Sequence, residues 1–370
     1  MIVALRILAI LAGVFLLFAT LFSAIKTVIL PRGAVSYITR VVYLTMRGVL
    51  LMIARPSASF ERRDKVLALY APVALVATLA TWLVLVGAAF TLIFWGVDHV
   101  PWRVAFEVSG SSLFTLGTTR PENLGSTALI FSEAGVGLFL LALMITYLPS
   151  IYTAFSRREL GVTALAVRAG EPPSGVTMME RFTRLDRMPM LTDVWTEWER
   201  WFVDIEETHT SLPSLVFFRS PQPDHSWITA AGAVLDGAAL AVSIVDIEHE
   251  VQADICIRAG YLSLRRICDF FFIPYVADPQ PDDPISITRA EWEDAVDEMA
   301  EAGVALKADR DAGWRDFSGW RVNYDTTLLA LANITSAPYA PWSSDRSGSR
   351  TLHARMFGKL RAKAPEGPPR

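Results

Sequence analysis

The stretch PWRVAFEVSGSSLFTLGTTRP, residues 101–121, decides how this chain is interpreted. It begins with Pro101, a residue suited to the first turn of a helix, and residues 102–114 are long enough for about three helical turns. Such a helix is too short to cross a bilayer. It leads into a run of small and hydroxylated residues, which consists of Thr115, Leu116, Gly117, Thr118 and Thr119. The meaning of this stretch depends on the segments around it.

Three apolar segments lie before and after this stretch, and they predict a membrane protein. A spanning helix needs about 20 mostly apolar residues, because the hydrocarbon core is ~30 Å thick and a helix rises ~1.5 Å per residue. Residues 7–30, 66–97 and 126–155 meet this requirement. The first segment could instead be a signal peptide that begins at Arg6, but its apolar run exceeds the ~7–15 residues of a typical signal core.

Basic residues between the first two apolar segments determine the predicted topology. From Lys26 to Lys65 the chain has eight lysines and arginines and only two acidic residues. Positive residues in short loops stay on the cytoplasmic side of a membrane. We therefore predict a multi-pass plasma-membrane protein with its N-terminus outside, residues 31–65 inside, residues 98–125 outside, and everything after residue 156 in the cytoplasm.

The basic linker, residues 31–65, contains a helical pattern of its own. Between residues 34 and 54 arginines alternate with apolar residues, and Arg40 and Arg47 lie on one helical face. This pattern is typical of an interfacial helix under the inner leaflet, whose arginines meet the headgroups of the lipid bilayer. A short fourth span is the alternative, but it would reverse the side of one terminus.

The position of residues 101–121 between two spans, on the outer side, predicts a re-entrant pore loop. Non-helical backbone at membrane depth is tolerated only where it is buried in protein or lines a water-filled path. The short helix would end inside the membrane and direct its partial negative charge toward the centre. The Thr/Gly run would then offer carbonyl and hydroxyl oxygens to a dehydrating cation. A plain extracellular loop with a short helix is the alternative interpretation.

Residues 66–155 resemble the pore module of the potassium-channel superfamily, which has an outer helix, a pore helix, a filter and an inner helix. The family's filter reads Thr-Val-Gly-Tyr-Gly followed by Asp, and the matching positions are residues 115–119 followed by Arg120. Thr119 stands where the family has its second filter glycine, whose lack of a Cβ lets it turn a carbonyl toward the ion. Arg120 stands where the family has Asp. The resemblance implies a pore and a homotetramer, because one pore loop per chain cannot enclose an axis.

The predicted pore mouth carries charges of both signs. Arg120 would repel cations unless a carboxylate pairs with it, and Glu122 and Glu107 are the candidates. The permeant ion is therefore left open between potassium and a less selective set of cations, and an anion path is a further alternative. No cofactor and no bound metal ion is expected.

Four residues of the third span are candidates for a hinge or a cavity in the inner helix. Gly135 and Gly137 lie where the inner helices of the potassium-channel superfamily commonly bend. Pro149 removes a backbone hydrogen bond near the cytoplasmic end of the span. Glu133 is a carboxylate within an apolar span, which is costly unless it faces water or a partner. Close helix packing at the two glycines and an interfacial position for Glu133 are the alternatives.

The chain after residue 156 is predicted to form an α-helical cytoplasmic domain, residues 157–336, followed by a flexible tail, residues 337–370, that is rich in Pro, Ser, Gly and Arg. The predicted helices cover residues 191–210, 226–247, 251–272, 288–308 and 314–332. The overall prediction is an all-α membrane protein with a first transmembrane helix in residues 1–30, the linker in residues 31–65, and a pore module in residues 66–156.

Three local patterns predict packing in that domain. Thr288 and Glu291 form the capping-box pattern at the start of a helix. Three tryptophans spaced by three residues indicate a packing stripe along the helix of residues 191–210, and two cysteines are expected to be reduced and buried. These residues are Trp195, Trp198, Trp201, Cys256 and Cys268.

Composition and motifs narrow the function classes. The net charge of -4 gives no indication of a nucleic-acid partner. The chain lacks a phosphate-binding glycine loop with lysine and a Rossmann fingerprint, so the nucleotide- or calcium-sensing domains often attached to such channels are not recognisable in it. We do not expect an enzyme. Glu206 and His209, with Asp246 and His249, repeat an acid-x-x-His spacing that could hold metals in a membrane-held enzyme. A tetrameric cation channel is the main prediction, and a membrane-anchored signalling or scaffold protein without a conducting pore is the alternative.

Overall fold

The computed structural model describes residues 2–30, 36–54, 60–118, 123–248 and 251–346. Within these ranges the chain forms α-helices and short 3-10 turns, with no β-strand and a single isolated bridge between Val245 and Leu306. The all-α prediction is confirmed for this part of the chain. Thr119, Arg120, Glu122 and His249 lie outside the described residues, as do residues 347–370 of the predicted tail.

The chain divides into two compact units. The first comprises Met1–Arg157 together with Thr208–Arg219, and the second comprises Arg158–Glu207 together with Ser220–Arg370. The helices that begin in the first unit are α1 (Ile2–Val28), α2 (Tyr37–Ile53), α3 (Phe60–Ala68), α4 (Tyr70–Val97), α5 (Trp102–Leu113) and α6 (Leu124–Ala169).

Three helical segments are long and apolar enough to cross a membrane: Ile2–Val28, Arg62–Val97 and Leu124–Ala169. Their number and positions agree with the prediction from sequence. The third helix continues through Gly161 well beyond its predicted end near residue 155, and this extension is packed, with Val162 and Leu165 buried. Gly170 then takes a positive φ of 87°, which is the usual conformation of the residue that ends a helix.

Helices α1 and α4 pack closely and run antiparallel. A Cβ on Gly13 would lie 2.6 Å from the carbonyl oxygen of Ala89, and a Cβ on Gly96 would lie 2.5 Å from the side chain of Ile10. Small residues of this kind let helix backbones approach within a membrane. Farther along α1 the Trp82 Nε1 donates to Ser23 Oγ at 3.1 Å, which fixes the register of the pair.

Helix α2 is bound to α1 by buried hydroxyl groups. Ser36 Oγ lies 2.6 Å from Ser23 Oγ, and Thr39 Oγ1 lies 2.8 Å from Thr27 Oγ1. Ser36 also caps α2 by accepting a hydrogen bond from the backbone N–H of Thr39. The helix predicted in the basic linker is therefore present, and part of its surface is buried against protein.

The second unit surrounds a buried helix. Nearly every residue of α9 is buried, and α7, α10, α12 and α13 pack against it. Its helices, besides the last part of α6, are α7 (Gly175–Arg184), α8 (Leu191–Ser211, which enters the first unit at its end), α9 (Trp227–Ser243), α10 (Val251–Phe270), α11 (Arg289–Glu301), α12 (Arg310–Arg321) and α13 (Asp325–Thr335).

Several helix predictions in this unit are confirmed and two are wrong. The capping box opens α11, where Glu291 Oε2 accepts from the Thr288 backbone N–H at 2.7 Å. However, α11 ends at Glu301 instead of continuing to residue 308, because Gly303 takes a positive φ of 85°. The predicted helix of residues 314–332 is two helices, α12 and α13, separated at residues 322–324.

The predicted packing residues are buried. The side chains of Trp195, Trp198 and Trp201 lie in the interior, and the ring centroids of Trp198 and Trp201 are 4.3 Å apart. Cys256 and Cys268 are free and buried, and burial raises the pKa of both thiols. Both predictions are confirmed: the three tryptophans pack in the interior, and the two cysteines are free and buried.

The predicted tail starts too early. Ala340 and Ser343 are fully buried or nearly so, and the ring of Trp342 packs on Phe317 with centroids 5.7 Å apart. The apolar side chains within residues 337–346 make packing contacts, which the Pro, Ser and Gly content of this region does not predict. These residues therefore belong to the fold of the second unit.

A buried ionic network joins distant parts of the second unit. Arg321 is fully buried and donates to Asp236, to Asp325 at 2.8 Å and to the carbonyl oxygen of Trp342. Burial acts to lower the pKa of Arg321, but attraction from the two carboxylates outweighs it and raises this pKa, so the guanidinium stays charged. Tyr324 Oη also donates to Asp236, at 2.9 Å.

We expect Arg321→Met to destabilise the protein strongly, because it leaves two carboxylates buried without their cation. Removing one partner of a buried ion pair lowers the free energy of unfolding by about 3–5 kcal/mol. Thermal or denaturant unfolding of the full chain in detergent measures the loss. Arg289→Met is the matched control: its pairs with Glu293 and Asp311 are exposed and stabilise by about 1 kcal/mol or less. Equal effects of the two substitutions would contradict the assignment.

Candidate functional site

The stretch that directed the sequence analysis forms α5 and a turn. The helix begins after Pro101, where the rings of Trp102 and Trp95 lie 6.2 Å apart beside the end of α4. It then packs along α4, and Ser109 Oγ lies 2.9 Å from the carbonyl oxygen of Gly87. Since Gly87 lies ten residues before Val97, the end of α4, α5 extends about 15 Å along that helix, at ~1.5 Å per residue.

The last residue of α5 is buried between two glycines. A Cβ on Gly87 would lie 3.4 Å from Leu113 Cδ2, and a Cβ on Gly137 would lie 2.8 Å from the carbonyl oxygen of Leu113. The end of α5 therefore approaches α4 and α6 at positions where side chains are absent. Close packing, one of the two predicted roles for the glycine pair, is what the structure shows at Gly137.

Three serines at the end of α5 hold this region together. Ser109 Oγ contacts Gly87 in α4 and lies 2.6 Å from Glu133 Oε1 in α6. Ser112 Oγ donates to the carbonyl oxygen of Ile130 in α6 at 2.7 Å. The sequence analysis did not single out these serines. Their spacing on a short helix between apolar spans is the signal that could have identified them.

The third serine contacts the predicted filter. Ser111 Oγ accepts hydrogen bonds from the backbone N–H of Thr118 at 3.0 Å and from Thr118 Oγ1 at 2.9 Å. Thr115 and Gly117 have positive φ values of 54° and 67°, so the backbone turns back toward the end of α5. Phe114, Leu116 and the other described residues of this turn are exposed in the single chain.

Glu133 is fully buried between helices of its own chain. Its Oε1 contacts Ser109, and its Oε2 has no hydrogen-bond partner among the described residues. No other charged residue occurs in residues 70–97 or 124–156. The carboxyl group therefore faces α5 rather than an exposed surface of the protomer, and it joins the predicted inner helix to the predicted pore helix.

The other predicted residues of α6 occupy different environments. An added Cβ on Gly135 would meet no atom within 4 Å, so this glycine is open while Gly137 is packed. Pro149 lies inside the continuous helix α6, where its ring nitrogen cannot donate to a carbonyl oxygen of the preceding turn. At the predicted mouth, Glu107 is paired with Arg103 at 2.8 Å in an exposed ion pair.

The predicted alternative of a metal site has no counterpart in the described part of the chain. No group of three or more His, Cys, Asp or Glu side chains there could hold a metal ion. Glu206, a member of the first acid-x-x-His pair, forms an ion pair with Arg266 at 2.6 Å.

Comparison of the chain with known protein families, with curated proteins and with solved structures gives no match. The candidate site is therefore assigned from its own residues. They are the end of α5, the turn that follows it, and the facing residues of α4 and α6.

We expect Gly137→Ala to destabilise the protein, because the new methyl group would displace the backbone of Leu113. Overpacking of this kind typically costs about 1–3 kcal/mol. Gly135→Ala, two residues away in the same helix, is the matched control and should be neutral or stabilising by up to about 1 kcal/mol. The thermal midpoints of the two full-length variants in detergent give the comparison. A Gly137→Ala variant as stable as Gly135→Ala would disprove the close approach.

Ser109→Ala should lower stability by about 1–3 kcal/mol, because it leaves the buried Glu133 without its hydroxyl partner. The double variant Ser109→Ala/Glu133→Met removes both polar groups and should recover part of this loss. Unfolding of the two single variants, the double variant and the parent chain measures the coupling energy. Ser132→Ala, whose hydroxyl is exposed and bonds to its own helix, is the control. Simple additivity of the two single substitutions would show that they do not interact.

Proposed function

We propose that the chain forms a homotetrameric membrane channel that conducts cations through a path lined by one pore loop from each subunit. The observation that carries this proposal is the position of Leu113, where α5 ends between Gly87 and Gly137. With α4 taken as a membrane span, an extension of about 15 Å along it supports a position of this end near the middle of a hydrocarbon core ~30 Å thick. A helix that enters and stops at this depth is what a re-entrant pore loop requires.

The chemistry at the end of α5 supports a cation path. The C-terminal end of a helix carries partial negative charge, and the following turn supplies carbonyl and hydroxyl oxygens from Thr115 to Thr118. Oxygens of this kind replace the water of a dehydrating cation. In the protomer these residues are exposed, so in a membrane they need either water or neighbouring subunits.

Helix α6 has the two faces that an inner helix of such an assembly needs. One face is buried within the protomer and carries Gly137, Leu140, Met144, Tyr147 and Ile151. The opposite face is exposed along the same length and carries Gly135, Leu138, Ala142, Ile145 and Pro149. Both sets follow the 3–4 residue spacing of a helical face. The exposed face is available to a central path and to the neighbouring copies around it.

The proposed orientation follows from charge and from helix direction. The basic segment between α1 and α4 favours a cytoplasmic linker, and the antiparallel packing of α1 on α4 agrees with successive spans of opposite direction. We place residues 98–125 outside and the second unit in the cytoplasm of a cell bounded by this plasma membrane.

A second candidate is a membrane-anchored signalling or scaffold protein without a conducting path. The observation that favours it is the turn at residues 114–118, which closes on Ser111 of its own chain. A turn whose polar groups find hydrogen-bond partners within one protomer would need no neighbouring subunits.

Reconstitution separates the two candidates. Purified full-length protein in liposomes should pass potassium or sodium, and its mass in detergent should correspond to four copies. Gly117→Val should abolish the flux, because a β-branched side chain is strained at a φ of 67° and would occupy the path. Gly48→Val in α2, where an added Cβ meets no atom within 4 Å, is the control and should conduct normally. A monomer without flux would support the anchored protein, and normal flux through Gly117→Val would exclude this filter.

A further inference from the structure

Residues Thr208–Arg219, the inserted segment, belong to the first unit although the chain on both sides of them belongs to the second. They include the 3-10 turn Pro213–Phe217. The sequence analysis placed them within the domain of residues 157–336 and assigned them no role. Their contacts reach each of the helices α2, α3, α4 and α6.

Aromatic rings join the inserted segment to α4 and to residues 150–157 of α6, the last part of this helix within the first unit. The ring of Phe217 lies 5.4 Å from that of Tyr70 at the start of α4. Phe218 packs against Tyr152 and Phe155, with centroid distances of 6.5 Å and 5.8 Å. These two residues of α6 follow Pro149, so the segment contacts the part of the helix beyond its missing hydrogen bond.

Polar contacts join the same segment to α2 and α3. Ser214 Oγ lies 2.6 Å from Tyr43 Oη in α2. Arg219 Nε donates to Asp64 Oδ1 in α3 at 2.8 Å, and the two side chains are only 10% and 12% exposed. Removing one partner of a pair that is this well buried lowers the free energy of unfolding far more than removing one partner of a surface pair.

The burial of the inserted segment shows that these contacts are part of a packed core. Leu215 and Phe218 belong to the same apolar cluster as Leu140, Ile151 and Ala154 of α6. The segment therefore lies between α6 beyond Pro149 and the helices α2, α3 and α4. If residues 150–157 of α6 move away from these helices, they must either break their contacts with the inserted segment or move the segment with them.

We propose that the inserted segment is an element through which the second unit controls the position of residues 150–157 of α6, and with it the opening of the path. This inference rests on the proposed channel function. The segment is covalently continuous with the second unit at both of its ends, so a conformational change in that unit acts on it directly. Such control requires two discrete arrangements. In one, the inserted segment contacts residues 150–157 of α6, an arrangement that we call the clamp; in the other, these contacts are broken.

Charge reversal of the buried pair tests the proposal. In the reconstituted full-length channel, Arg219→Asp should change the open probability by at least about tenfold, within the range of typical coupling between sites. The current through a single open channel should stay unchanged, because the substituted pair joins the inserted segment to α3 and is not part of the turn at residues 114–118. The double variant Asp64→Arg/Arg219→Asp, which restores an ion pair of opposite direction, should return the open probability to within about threefold of the parent.

Two further measurements make the test decisive. Arg310→Asp breaks an exposed ion pair with Asp297 and is the charge-matched control, expected to leave gating unchanged. Phe218→Ala removes the contact with α6 without a change of charge and should act in the same direction as Arg219→Asp. An unchanged open probability in both Arg219→Asp and Phe218→Ala, or no rescue by the double variant, would overturn the proposal.

Hydrogen exchange separates failure of this inference from failure of the channel proposal. Amides of residues 150–157 and 212–219 should exchange faster in Arg219→Asp than in the parent chain, because the contacts between these two stretches, the clamp, are lost. Faster exchange in a protein that passes no current would refute the channel and retain the clamp. Unchanged exchange would refute the clamp, whatever the protein conducts.

Discussion

The close approach of Leu113 to Gly87 and Gly137 is the constraint on which the candidate site depends. A short helix can end deep among apolar helices only if its neighbours leave room for its backbone and if its polar groups find partners. The glycines provide the room, and the hydroxyls of Ser109 and Ser112 provide the partners. Any larger residue at position 137 would move the end of α5 and the turn that follows it.

Much of the fold could be predicted from the sequence because the signals were local. Long apolar runs identified the three candidate spans, and a capping box located the start of α11. Helix ends were harder to predict: α6 runs through Gly161 to Ala169, where tertiary packing buries Val162 and Leu165, while α11 is cut short at Gly303. The packed residues 337–346 were missed because their order depends on distant contacts, which no local pattern reveals.

The site itself was predicted only in outline. The short helix and its boundaries followed from Pro101 and the spacing of residues, but the environment of Glu133 did not. Its burial against Ser109 depends on which face of α6 meets α5, and the composition of an apolar helix does not specify that face. The inserted segment was missed for a related reason, since Leu215 and Phe218 could have packed equally well within the second unit by composition alone.

The ionic network around Arg321 has a consequence for how the protein is made. Asp236 precedes Arg321 by 85 residues, and the Trp342 carbonyl that also binds Arg321 follows it by 21. Until Arg321 has been synthesised, the Asp236 carboxylate has no cation to pair with, a state that disfavours its burial. With its central ion pair in place, the second unit can therefore fold only after synthesis has passed residue 321.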